Sequence, residues 1–179
     1  SKMNVIPALA ERWKVSKNRK TYTFYIRKNV QWSDGQPLEA VQFVNSWKRL
    51  LDPLTSAPYA YLLFDLVNAQ EYNEGKLRDF SKVGVRAIDA HTLEVKLKEP
   101  ITFFTQKLTF WVTFPLRIDL VEKWGASWSK PEHTVVLGPF VPSQHKINSQ
   151  LTLRRNEKYY GKKAAVDRVV MKVVEDDTT

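Results

Sequence analysis

The chain has 179 residues, 43% of them hydrophobic, with 6 Trp, 7 Tyr and 9 Phe, enough apolar material to bury a core and to exclude a disordered chain. Lys plus Arg number 28 against 19 Asp plus Glu, a formal net charge of +9 that leaves an anionic partner open. There is no cysteine, which excludes disulfides, thiol catalysis and Cys-based zinc sites. Apolar runs such as residues 59–64 fall far short of the ~20 residues that cross a bilayer as a helix. No charged-then-apolar leader pattern opens the sequence, and Ser1 and Lys2 read as an addition to a start that lies in mid-pattern.

Residues 12–33 carry seven basic side chains (Arg12, Lys14, Lys17, Arg19, Lys20, Arg27 and Lys28) and no acid. They read as a solvated loop and strand face in preference to a nucleic-acid patch. "SKNRK" (16–20) is a loop or hairpin turn. "TYTFYIRK" (21–28) alternates as a strand, with Tyr22, Phe24 and Ile26 on one face. Trp32 closes a strand, and "SDGQP" (33–37) is a turn. Asp34-Gly35 supplies a positive φ there, and Pro37 suits a first helical turn. A helix is expected over 38–51, with Ala40, Val44, Trp47 and Leu51 on one side and Pro53 ending it; Phe43 and Trp47 fix it to a sheet. A short helix over 59–64 follows, then another over 66–74 closed by Gly75.

"VGVRAID" (83–89) and "TLEVKLK" (92–98) form a hairpin through Asp89-Ala90-His91. "PITFFTQKLTF" (100–110) is helical by the spacing of Phe103, Phe104, Lys107, Leu108 and Trp111. "RIDLVEKWG" (117–125) is a helix with Gly125 as C-cap. "TVVLGPFVP" (134–142), "QLTLRR" (150–155) and "VDRVVMKVVED" (166–176) are strands. Strands, hairpins and helices mixed in this way predict an α+β or mixed α/β fold with helices packed on a mixed sheet.

Chemistry is sparse. His91, His133 and His145 stand far apart without a partner at ligand spacing, so turn or surface roles are expected and no metal. There is no G-x-S-x-G, P-loop or G-x-G-x-x-G, and "EDD" (175–177) reads as a solvated terminus. Nothing positive supports an enzyme, and no cofactor is expected. Aromatics are in excess. Of the six tryptophans (13, 32, 47, 111, 124, 128), most are expected to pack, and a minority to line a pocket.

Several stretches, in order, resemble the extracellular solute-binding proteins of the oligopeptide and dipeptide type, the binding components of peptide ABC transporters. They are "PALAERWKVS", "YTFYIRKNVQWSDGQPL", "FVNSWKRLLDPLTSAPYAYLL", "VGVRAIDAHTLEVKLKEPITFF", "VVLGPFVP" and "LTLRRNEKYYG". The resemblance implies a fragment of a type II periplasmic-binding-protein-like fold. Residues 1–115 would be the smaller variable subdomain of the N-terminal lobe, and 116–179 the return into that lobe's main sheet. It implies a periplasmic or extracellular protein, not an enzyme, monomeric and lipid-anchored in some full-length forms. Its partners would be a peptide ligand and the permease subunits, with no nucleic acid. The S-P-Y motif, here Ala57-Pro58-Tyr59, makes Tyr59 a ligand contact, and Phe110 and Trp111 fall where the family brings a loop to the ligand. The family's Thr-Ala-x-Asp at the helix start is Glu39-Ala40-Val41-Gln42, so its capping box is expected to be lost. Tyr159-Tyr160 replaces Tyr-Trp. Nickel, haem or an oligosaccharide remains open as the solute. With one cleft wall only, the chain alone is expected to bind peptide negligibly.

Overall fold

A computed structural model describes residues 4–174, so Ser1, Lys2 and the acidic stretch 175–177 lie outside the described residues. The chain forms two compact units. One holds the chain up to Lys28 and resumes over Glu39–Leu116. The other holds Asn29–Leu38 and resumes at Arg117. The ten-residue excursion 29–38 thus belongs with the second unit.

The first unit is a four-stranded antiparallel sheet with helices on one face. Its strands are β1 (Ala10–Val15), β2 (Thr21–Ile26), β3 (Val85–Asp89) and β4 (Thr92–Lys96), in the order β1-β2-β4-β3. Alternation sets the faces: Tyr22, Phe24 and Ile26 of β2 and Leu93 and Val95 of β4 are buried. Phe24 sits opposite both Trp13 and Leu93, and Tyr22 opposite both Val15 and Val95. The predicted hairpin of β3 and β4 is present; Asp89 Oδ1 accepts from the His91 N–H at 2.8 Å across its turn. β1 was not expected. Glu11, Arg12 and Lys14 mask its alternation, as charges on an open edge strand do.

Helix α1 (Ala40–Leu51) lies on the apolar face and buries Ala40, Ser46, Trp47 and Leu51, while Val44 is half-buried. Each fully buried large side chain contributes about 1.5–3 kcal/mol. The expectation of a lost capping box is corrected. Glu39 and Gln42 form one: Gln42 Oε1 accepts from the Glu39 N–H at 3.2 Å, and the Glu39 side chain reciprocates. Pro37 is not helical, because it bridges back to Gln31.

Three predicted helices are shorter than their apolar spacing implied. Residues 59–64 give a 3₁₀ turn, Ala60–Leu63. Residues 66–74 give only α2 (Ala69–Asn73), because Leu66 bridges to Leu97 and Asn68 takes a left-handed conformation at φ 59°. Residues 100–110 give α3 (Phe104–Lys107), followed by a 3₁₀ turn, Trp111–Thr113. Thr109 Oγ1 donates to the Gln106 carbonyl at 2.7 Å, and Thr113 Oγ1 to those of Leu108 and Phe110, so hydroxyls compete with the helix ladder.

In the second unit, residues 30–38 make a miniature hairpin rather than a strand closed by Trp32. Trp32 N–H donates to the Gln36 carbonyl, Leu38 N–H to that of Val30, and Gly35 takes φ 95° as the Asp-Gly pair predicts. Helix α4 (Ile118–Trp124) ends at Gly125 as expected. A three-stranded antiparallel sheet follows, β5 (Phe140–Lys146), β6 (Gln150–Arg155) and β7 (Arg168–Lys172), in the order β5-β6-β7. The strand expected over 134–142 begins only at Phe140. Val136 exchanges hydrogen bonds with Ser33 instead, so that segment serves the 30–38 hairpin. Arg117 ties the same hairpin to α4, bonding Asp34 at 2.6 Å and Asp119 through two nitrogens at 2.8 and 2.6 Å. The Asp119 bonds, then those to Asp34, push the Arg117 pKa up; in return they hold the Asp119 carboxyl below its usual range.

Candidate functional site

The first unit brings Tyr59, Phe110 and Trp111 together, although fifty residues of chain separate the first from the others. The Tyr59 ring meets Phe110 edge-on at 5.4 Å and Trp111 edge-on at 5.8 Å; Phe110 and Trp111 lie 5.6 Å apart. These are favourable aromatic geometries. The cluster is not core. Trp111 is 63% exposed, Tyr59 39% and Phe110 38%. Of the six tryptophans only Trp32 and Trp47 are buried, and Trp111 is the outlier in the other direction.

Local structure explains the presentation. Tyr59 precedes the 3₁₀ turn 60–63, whose Ala60 and Leu63 are buried, so the turn is anchored and Tyr59 stands at its rim. Phe110 and Trp111 open the second 3₁₀ turn. That turn is pinned from beneath. Trp47 Nε1 donates to the Thr113 carbonyl at 2.8 Å, Ser46 Oγ accepts from the Leu116 N–H at 2.7 Å, and Thr113 is buried.

An open hollow of about 360 Å³ adjoins the cluster, lined by Tyr59, Tyr61, Leu62, Gln106, Lys107, Thr109 and Phe110. That volume is at the small end for a ligand pocket. Lys107 is the charged side chain in this lining, and it forms a half-buried ion pair with Asp65. The wall is therefore aromatic, with its one cation neutralised. It can stack on an apolar or planar group, and it offers no acid, base or nucleophile positioned for chemistry.

The sequence reading missed Tyr61, whose ring lies 6.2 Å from that of Tyr59, and the Asp65–Lys107 pair. Tyr61 was legible as a second Tyr two positions on; the ion pair spans 42 residues and was not. Among the described residues no group of His, Asp and Glu could hold a metal ion. His91 lies in the β3–β4 turn, His145 on exposed β5, and His133 stacks on Trp124 at 3.8 Å.

The family model of bacterial extracellular solute-binding proteins, family 5 (middle), matches residues 4–179. The chain belongs to that family. It is similar to the probable deoxycholate-binding periplasmic protein YgiS of Escherichia coli, with 44% identity over 87% of this chain and 29% of the relative. It is 36% identical to the periplasmic oligopeptide-binding protein OppA of Escherichia coli, over 97% of this chain and 32% of the relative. Among solved structures, the substrate-binding domain of an oligopeptide ABC transporter from Bacillus anthracis matches with TM-score 0.90 at 37% identity, covering 94% of this chain and 33% of that one. The chain thus spans about a third of the length of these relatives. Its mixed α/β fold is that of the peptide-binding members. Family 5 members are periplasmic or extracellular, and they hold solutes without transforming them. Family membership, rather than any missing cluster, places this chain outside the enzymes.

Proposed function

We propose that this chain supplies one wall of a solute-binding cleft in a two-lobed ABC-transporter component, and that the Tyr59–Phe110–Trp111 cluster is the part of that wall which touches the solute. The observation that carries this reading is an aromatic cluster held rigid from below yet left exposed to solvent. An exposed aromatic group of this kind marks a binding surface. The solute is a peptide. Backbone hydrogen bonds from the opposing lobe would hold its main chain, and the aromatic wall would take a side chain. The first unit, apart from the excursion 29–38, corresponds to the smaller subdomain of the lobe expected over 1–115, and the second unit to the start of its main sheet. The delivered solute passes to the permease subunits, and the binding component acts as a monomer without a cofactor.

A second reading has its own support. The hollow is aromatic and its cation is already paired, which suits a rigid amphipathic ring system such as a bile acid, and one relative is named for deoxycholate. Calorimetry on the longer protein that contains this chain separates the two. Saturable heats with a tripeptide, insensitive to deoxycholate, support the first reading; the reverse pattern supports the second. Silence towards both, in folded protein, removes the proposal.

A further inference from the structure

The sheet of the first unit has a second face, which the solute site does not use. Register places its side chains. Across one row stand Lys14, Thr23, Glu94 and Arg86; on one side of it lie Arg12, Tyr25, Thr92 and Asp89, and on the other Thr21 opposite Lys96. The four cations come from three strands and share one side, because opposite residues of an antiparallel ladder point the same way. Of the acids on this face, Asp89 is exposed at the β3 end, where its carboxylate accepts from the His91 N–H at 2.8 Å, and Glu94 is submerged. Glu94 bonds Arg86 at 2.8 Å and lies 3.5 Å from Lys96; its side chain is 18% exposed, whereas those of its partners are 63% and 52% exposed. Arg12 lies over the Tyr25 ring at 3.9 Å with Lys14 alongside, and Glu11 pairs with Arg12 at the rim. The β1–β2 turn adds exposed Lys17 and Arg19, and Lys20 pairs with Glu99.

From this array we infer that the outer face of the β1-β2-β4-β3 sheet docks on the surface of an anionic phospholipid bilayer. The face presents cationic heads above Glu94, and threonine hydroxyls lie between them, a set that matches phosphodiester headgroups in charge and hydrogen bonding. A family 5 protein meets such headgroups outside the cytoplasm, on the membrane that holds its permease. Weak adsorption there would concentrate the binding component beside that permease. Nucleic acid is the other polyanion this face could take, and the extracellular setting disfavours it.

The test is cosedimentation of the purified chain with phosphatidylcholine vesicles, with and without phosphatidylglycerol. Binding only to the phosphatidylglycerol vesicles, lost on raising the salt, is expected. A variant with Arg12, Lys14, Arg86 and Lys96 each changed to Gln should bind at least about tenfold more weakly. Removing the same charge from exposed Lys130, Lys146, Lys162 and Lys172 of the second unit should cost far less. Circular dichroism establishes that both variants are folded, and the salt titration of the unaltered chain stands if one is not. Equal losses in the two variants would reduce the effect to net charge and overturn the inference. So would tighter binding to a single-stranded oligonucleotide than to the vesicles at the same salt, or loss of vesicle binding in the longer protein.

Discussion

Trp47 donates its indole N–H to the Thr113 carbonyl at 2.8 Å, in a position where both residues are buried. Trp47 belongs to the helix behind the "WSDGQP" turn, a stretch without catalytic groups, and Thr113 ends the turn that carries Phe110 and Trp111. The helix positions the site. Trp47→Phe keeps most of the packing and leaves the Thr113 carbonyl without its donor. A loss of about 1–3 kcal/mol in denaturant unfolding is expected, and weaker solute binding at Trp111 with it.

Gly84 occupies a position closed to any side chain. A Cβ there would meet the Lys96 carbonyl oxygen at 2.3 Å and the Val67 nitrogen at 3.0 Å, two backbone atoms that hydrogen-bond each other. Gly84→Ala should therefore destabilise the first unit by about 3 kcal/mol, measured as a shifted urea midpoint at unchanged slope.

Acid should loosen the second unit. Asp119 has its pKa lowered in the fold by the hydrogen bonds from Arg117. The stabilisation it gives is complete above the unfolded value of about 3.9 and is lost as pH falls through the lower folded value. Its side chain is 60% exposed, so screening keeps the effect small. Thermal unfolding of Asp119→Asn should lie below that of the unaltered chain at neutral pH and converge with it as pH falls below the lowered folded value.

The aromatic cluster should be dispensable for folding. Tyr59 and Trp111 are exposed, and replacing either with Ala should cost no more than about 1 kcal/mol, the scale of an aromatic pair. Thermal melts of the two variants test this directly.

Much of the first unit was legible because period-two alternation in 21–26, 85–89 and 92–96 is unmasked, and because α1 has a clean apolar side and a proline after it. What was illegible has physical causes. β1 hides its core-facing Trp13 among edge charges. The helix expected over 100–110 breaks where Thr109 and Thr113 bond backbone carbonyls. The segment before β5 spends its hydrogen bonds on Ser33, more than a hundred residues away in sequence. Glu39 and Gln42 cap α1 by the same reciprocal logic as the Thr and Asp they replace, with longer side chains. At the site, resemblance named Tyr59, Phe110 and Trp111, and folding explains why they meet: two short turns are anchored by Leu63 and by Trp47. The solute was not legible, since an exposed aromatic wall sets only the kind of surface on offer.

The central claim is that this cluster touches the solute, and the most direct measurement is calorimetric titration of the longer protein with its preferred solute, comparing the unaltered form with Tyr59→Ala and Trp111→Ala. Each replacement should weaken binding about tenfold, the equivalent of about 1.4 kcal/mol, while the melting temperature barely moves. Affinities unchanged in both variants would contradict the account.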